Sequence, residues 1–300
     1  MERTAPARRF NGEIVLMPCT SRTPGLRAVL GIAFGVLFSV GLTLAPTSFA
    51  QDTPAKLETR ATPLKKPPFD RALYASLLEA HTKSVADVVG TRVDYRALGR
   101  SEDWKRLVAQ IRSARPGTLD REGKLAFWIN AYNILTIDLV LQHYPLDSIR
   151  DIGSFFSPVW NVEVATIEGR TLSLGEIEHE ILRKMGEPRI HAAIVCASTS
   201  CPPLARTPFT TERLGADLDA AMRQWLSSPR KGVSIDRTRN QVSVSAIFDW
   251  FEEDFETGGG ILSTIARYVP ATDAAWLQNE GRQARLKFLN YDWTLNDFSR

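Results

Sequence analysis

The sequence predicts an α+β fold, one helix-rich domain built around a small mixed or antiparallel sheet. Three observations lead there. Most segments after Phe69 carry apolar residues at helical spacing. Strand-like runs are few, short and scattered among those helices. The chain of 300 residues is 44% hydrophobic, 24% charged and 9% aromatic, the composition of a folded protein rather than a disordered one.

The first helix is expected over Asp70–Val89, with Leu73, Leu77 and Leu78 on one face. A second spans Ser101–Ala114, opened by Ser101-Glu102-Asp103. The strongest, Gly123–His143, has a broad apolar face of Phe127, Ala131, Ile134, Leu135, Leu139 and Leu141, and Pro145 ends it. Val162–Ile167 and Arg170–Leu172 read as a hairpin across Glu168-Gly169. Ser173 and Glu176 have capping-box spacing and start a helix reaching about Met185. Ile190–Ala197 reads as a buried central strand, followed by the loop Ser198–Pro203. Thr211–Leu226 is helical, Val233–Ile235 and Val242–Val244 form a second hairpin, and Ala246–Asp254 and Ile261–Tyr268 are helical. Leu286–Tyr291 is a last strand-like piece. Residues 69–300 thus form one globular domain of about 230 residues, with no internal repeat.

The N-terminal part reads differently. Residues 1–50 hold five basic and two acidic side chains, so 51–300 hold 32 of each, and the whole net charge of +3 belongs to the leader. That excess gives no support to a nucleic-acid partner. From Ala28 to Ala45 the chain is uncharged and apolar, preceded by Arg22 and Arg27, broken by Pro46 and followed by Ser48-Phe49-Ala50. A basic start, an apolar run and small residues at a cleavage position describe an export signal, with Met1 or Met17 as its first residue. An uncleaved anchor is the alternative, and the membrane would then be touched only through this segment. Either way the body lies in the periplasm or cell envelope. Residues 51–68, polar and proline-rich, read as a flexible tether.

Four places put polar groups inside apolar surroundings, where an unpaired polar group is costly. Asn130 and Asn133, three apart, share a helix face and either tie that helix to neighbouring backbone or serve a catalytic group. Glu178 and His179 are adjacent and diverge on a helix, which suits a surface or capping role. Along a strand His191 and Cys196 would face opposite ways, while Cys201, on the loop and stiffened by Pro202 and Pro203, could reach either face. Ser245–Phe255 is a short aromatic helix with Ser245 as a plausible N-cap, in which Asp249 or Asp254 could orient a histidine.

The cysteine pair admits four accounts. Cys196 and Cys201 could form a disulfide, which suits an oxidising compartment. One of them could be a thiolate nucleophile with an adjacent histidine and an orienting amide or acid. A metal could be held with His179 or His191, although C-x4-C is not a common zinc spacing. Both could be inert core. No G-x-x-x-x-G-K-[ST], no G-x-G-x-x-G after a strand, no H-E-x-x-H and no G-x-S-x-G occurs. Nucleotide-dependent and zincin-type chemistry have no support, and neither a cofactor nor a metal is expected.

The same places carry a resemblance. AFWINAYN (Ala126–Asn133), His143-Tyr144-Pro145, LSLGEIEHEILR (Leu172–Arg183), RIHAAIVCASTSCPPL (Arg189–Leu204), SAIFDWFEEDF (Ser245–Phe255) and NYDWTLN (Asn290–Asn296) resemble, in that order, the family called domain of unknown function 547. The match runs from about residue 125 to 296. Phe251 departs from it, standing where a tyrosine is expected, so any role for a hydroxyl there is absent. The resemblance implies that the His191–Cys201 region and the Asn130–Asn133 pair are family features. It also implies members in exported bacterial proteins and in plant proteins joined to a leucine-zipper segment, so a disulfide cannot serve all of them.

The leading expectation is therefore an exported thiol-dependent hydrolase or transferase acting on an acyl or amide bond of a small molecule or peptide. Cys201 would attack, His191 would be the base, and Asn130 or Asn133 would orient it or donate to the oxyanion. The alternatives are a non-catalytic envelope binding protein pinned by a Cys196–Cys201 disulfide, and a thiol–disulfide exchanger with a spacing wider than C-x-x-C.

Overall fold

Side-chain caps fix where the helices begin. In the computed structural model, which describes residues 67–154 and 157–299 and the backbone of Arg8–Phe10 and Glu13–Val15, Asp70 caps the helix Arg71–His81, its Oδ1 accepting from the Leu73 N–H at 2.9 Å. Ser101 caps Glu102–Ser113, and Asp120 caps Arg121–His143 with a bond of 2.7 Å from the Gly123 N–H. The expected export signal, its cleavage site and the tether up to residue 66 lie outside the described residues. Arg8–Phe10 and Glu13–Val15 pair as antiparallel strands in a unit of their own, Met1–Lys65.

The second unit, Lys66–Arg300, is the α+β domain. Its centre is the helix Arg121–His143, buried almost all round from Leu125 to Ile137. Among the described residues it is the one helix long and apolar enough to cross a membrane, and most of it lies inside this domain. A helix apolar on every side is what a core helix looks like. The helix Glu102–Ser113, the strand Glu163–Ile167 and the turns over residues 174–182 pack against it, and among the described residues this unit holds three small sheets. Thr82–Ser84 pairs antiparallel with Thr91–Val93, and Glu163–Ile167 with Arg170–Ser173. Glu168 and Gly169 turn the latter hairpin with φ of 51° and 79°, the positive pair that a two-residue turn of this hand requires. The third sheet has Val233–Asp236 and Gln241–Val244 antiparallel, with Arg285–Phe288 added in parallel.

Three expectations change here. The first helix ends at His81, and Thr82–Ser84 is already a strand. Ile190–Ala197 is not a strand: Pro188–Ala192 is a 3-10 turn and an irregular loop follows. Pro188 fits the start of such a turn, and side-chain amides, not a neighbouring strand, take the backbone groups that follow it. With no strand there, His191 and Cys196 are not held on opposite faces by strand alternation. The Ser173 helix, capped by the expected box, is α-helical only at Leu174–Glu176, then opens into a π turn over Ile177–Leu182 and tightens over Arg183–Met185. The helix Ala271–Gln278, which has no clear apolar stripe, was not legible in the pattern.

Candidate thiol site

Cys196 and Cys201 sit on a loop that folds back on itself. Ala197, between them, takes φ of 59°, a left-handed conformation that costs a non-glycine residue energy and reverses the chain at once. The return is held from three sides. Asn133 accepts from the Val195 N–H and donates to the Ala193 carbonyl, both at 2.9 Å. The C-terminal tail runs alongside: the Thr199 N–H donates to the Thr294 carbonyl at 2.8 Å, the Ser200 N–H to Asp292 at 3.1 Å, and the Asn296 N–H to Ala197 at 2.9 Å. Lys231, buried, donates through Nζ to the Cys201 carbonyl at 2.5 Å. The conformation of Ala197 persists because these contacts over-determine it.

The loop brings the two sulfurs to 2.9 Å, as free thiols. The Cys196 N–H donates to Cys201 Sγ at 2.8 Å. Cys196 Sγ also lies 3.0 Å from Ser198 Oγ and 3.1 Å from the Tyr291 hydroxyl. The two cysteines are therefore unequal. Burial alone would push the Cys201 thiol up, but hydrogen bonds from the Cys196 thiol and N–H, with help from Tyr291 and the Lys231 charge, bring it down to about 7. Burial and the charge on Cys201 push Cys196 well up, so the shared proton stays with Cys196. Cys201 is the more enclosed of the two.

Beside the pair lies a buried acid that the sequence pattern assigned to the surface. Glu178, on the π turn, accepts from the Tyr132 hydroxyl at 2.9 Å. Burial raises its carboxyl to about 7, with the Cys201 and Asp254 charges adding to the effect and the Tyr132 bond and Arg183 opposing it. The expected surface or capping role for Glu178 is thus corrected: the carboxyl points inward. His179, half-buried, accepts from Arg183 Nη1 at 2.9 Å; burial, then the Arg183 charge, lowers it to about 4.

His191 is held by Asp254, one of the two acids of the Ser245–Phe255 segment that could orient a histidine; Asp249 is exposed. Nε2 of His191 lies 2.7 Å from Oδ2 of Asp254, and Arg183 binds the same carboxylate through Nε at 2.7 Å and Nη2 at 2.8 Å. Burial opposes ionisation of Asp254, but the His191 and Arg183 bonds outweigh it and hold the carboxyl at about 2. An ionised carboxylate can only accept, so the ring proton of His191 sits on Nε2 and its Nδ1 carries the lone pair. Burial keeps the ring neutral. Phe251 stacks on it at 4.1 Å and carries the Arg183 guanidinium at 5.1 Å. The ring at the position of the missing tyrosine hydroxyl thus serves as packing.

The described bonds place His191 on Asp254 and the thiols on each other, Ser198 and Tyr291. Asn130 and Asn133 both serve the backbone: Asn130 donates to Ala126 and Phe209 carbonyls at 2.7 and 2.8 Å and accepts from the Phe209 N–H at 3.0 Å. Among the described residues, no group of three or more His, Cys, Asp and Glu side chains is placed to hold a metal ion. Lys231 and Tyr291 were not singled out in the sequence. NYDWTLN was recognisable as a motif, but only the tail pairing shows that it carries Tyr291 to the sulfurs.

Residues 116–226 match the model of a family described as "Protein of unknown function, DUF547". No curated protein and no solved structure matches the chain.

Proposed function

We propose that this chain, which belongs to the DUF547 family through residues 116–226, is an exported thiol–disulfide exchange protein whose working group is the Cys196–Cys201 pair. The observation that carries the reading is the 2.9 Å separation of two free sulfurs. Closing them to a bond of about 2.05 Å takes a shift of less than an ångström. The unequal proton affinities support it too, since the Cys201 thiolate stands beside Cys196 as the base that takes its proton during attack. Export rests on the leader sequence described above.

Cys196, the less enclosed sulfur, is the one that a partner's disulfide reaches. Its proton passes to the Cys201 thiolate as its sulfur attacks, forming a mixed disulfide and releasing a partner thiolate. Cys201 then gives up that proton and attacks the Cys196 sulfur. The Cys196–Cys201 bond forms, the mixed bond breaks, and the second partner thiol leaves. The protein loses two electrons and the partner gains them; run backwards, the same steps deliver a disulfide.

Dithiodipyridine tests this on the reduced protein. The expected product is a Cys196–Cys201 disulfide with no adduct on the peptide bearing residues 189–204, whereas Cys201→Ser retains one thiopyridine group on Cys196. A wild-type chain that keeps adducts on both sulfurs, or reacts at neither, overturns the proposal.

A second reading, acyl or amide transfer with a cysteine nucleophile, is favoured by the His191–Asp254 bond of 2.7 Å, which leaves Nδ1 as a base. It requires an activated acyl ester to leave a thioester on Cys196 or Cys201 at a rate that collapses in His191→Ala. An unchanged rate removes it. The third, a permanent disulfide pinning a binding loop, requires a bond that reductant leaves closed.

A further inference from the structure

Lys231 is 2% exposed, and its ammonium group is surrounded by carbonyls. Nζ donates to Val89 at 2.7 Å, to Cys201 at 2.5 Å and to Thr199 at 3.4 Å. The cradle is built tightly. Gly232 lies so close to the end of the helix Leu214–Leu226 that a Cβ would stand 2.1 Å from the Trp225 carbonyl oxygen. Gly90, next to Val89, has φ of 74°, and a Cβ there would stand 2.8 Å from Pro203. Three distant segments therefore converge on one buried cation.

Carbonyls satisfy its N–H groups but bring no charge, and a buried charge needs a counter-charge. Of the groups whose negative charge favours the ammonium, Cys201 comes first; Cys196 keeps its proton, and Asp87 already pairs with Arg92 at 3.0 Å. The thiolate is thus the buried counter-ion of the lysine. Around the sulfurs themselves stand Tyr291, Tyr132, Glu178 and Tyr95, all of which feel the same charge.

We propose that Lys231 is a positioning residue that makes the Cys196–Cys201 pair an oxidant, so that the protein passes its disulfide on to a substrate dithiol. This rests on the exchange reading and gives it a direction. Oxidation removes the thiolate and leaves the ammonium buried without a counter-charge, or forces it to lose its proton. Either consequence penalises the disulfide form, and a pair whose reduced form is stabilised is oxidising. In the transfer, the substrate dithiol surrenders two electrons and two protons and closes its own disulfide. The electrons cleave the Cys196–Cys201 bond, one proton goes to Cys196, and the other leaves to solvent because Cys201 stays a thiolate beside Lys231.

The test compares denaturant unfolding of the full chain reduced with dithiothreitol and oxidised with diamide. The reduced form is expected to unfold at the higher denaturant concentration, and Lys231→Met to abolish the difference. In glutathione buffers that variant is expected to favour its disulfide by about tenfold or more over wild type, one decade for each pKa unit that the thiol rises. Its alkylation–pH profile should move upward, which loss of packing alone would not do. An oxidised wild-type chain as stable as the reduced one, or more stable, overturns the proposal even if Lys231→Met fails to fold. So does a folded Lys231→Met chain with the wild-type glutathione equilibrium. Should diamide form no disulfide at all, the exchange reading falls together with the inference; should it form one that stabilises the fold, only the oxidant assignment falls.

Discussion

His191 and Asp254, 63 residues apart, meet at 2.7 Å with Arg183 bound to the same carboxylate. This contact joins the turn before the thiol loop, the 3-10 turn Arg183–Met185 and the segment Glu252–Glu256. Removing the acid leaves the buried imidazole without its partner and the mostly buried guanidinium with only His179 and the exposed Glu253. Asp254→Ala is expected to cost about 3 kcal/mol in chemical denaturation. The folded carboxyl titrates at about 2, below its ordinary 3.8, so its contribution is complete above pH 3.8 and is lost as pH falls toward 2. The variant should lack that part of the acid slope; a slope identical to wild type would contradict the contact.

Glu178 has the opposite sign. Its carboxyl is raised to about 7 from 4.5, so the folded state keeps a proton that the unfolded chain has lost between those values. Its contribution is present below pH 4.5 and lost as pH rises through 7. Glu178→Gln keeps an oxygen to accept from Tyr132 and carries no charge. It is expected to be more stable than wild type at pH 8, by on the order of 3 kcal/mol, with the gap closing below pH 4.5. Thermal melts across that range check this, and a gap independent of pH would refute it.

Asn130 and Asn133 separate fold from site. Truncating either to alanine orphans buried backbone groups, with an expected cost of about 2–3 kcal/mol each. Only Asn133 holds the thiol loop, through Ala193 and Val195, while Asn130 holds Phe209. Alkylation of Cys196 and Cys201 in the native state should quicken in Asn133→Ala and stay near wild type in Asn130→Ala. Equal acceleration in both would show that the loop is not held as described.

Tyr291 lowers the Cys201 thiol by hydrogen bonding. Tyr291→Phe keeps the ring against Trp250 and Trp293, at 4.8 and 4.5 Å, and removes only the hydroxyl. The pH profile of alkylation should shift upward without a large loss of stability. An unshifted profile would remove Tyr291 from the site.

The helices were legible because their signals are local: Asp70, Ser101 and Ser173 cap where the pattern put a start, and Asp120 caps three residues before the expected Gly123. Two antiparallel hairpins were legible from turn chemistry, whereas the aromatic segment offered two acids, Asp249 and Asp254, with nothing local to choose between them. The failures were tertiary. Ile190–Ala197 has a strand's composition, but Asn133 takes its backbone groups. Glu178 seemed bound for the surface because ideal helix geometry was assumed where a π turn occurs. Lys231 sits in no motif, and nothing local says that three carbonyls will surround it.

The exchange reading is tested most directly by equilibrating the reduced chain with glutathione buffers of rising oxidised fraction, alkylating the remaining thiols and weighing the peptide that carries residues 189–204. Cys196 and Cys201 are predicted to disappear together, as one two-electron step, and to return together with dithiothreitol. Two thiols that stay open to alkylation at every ratio, or that take up glutathione independently, would contradict it.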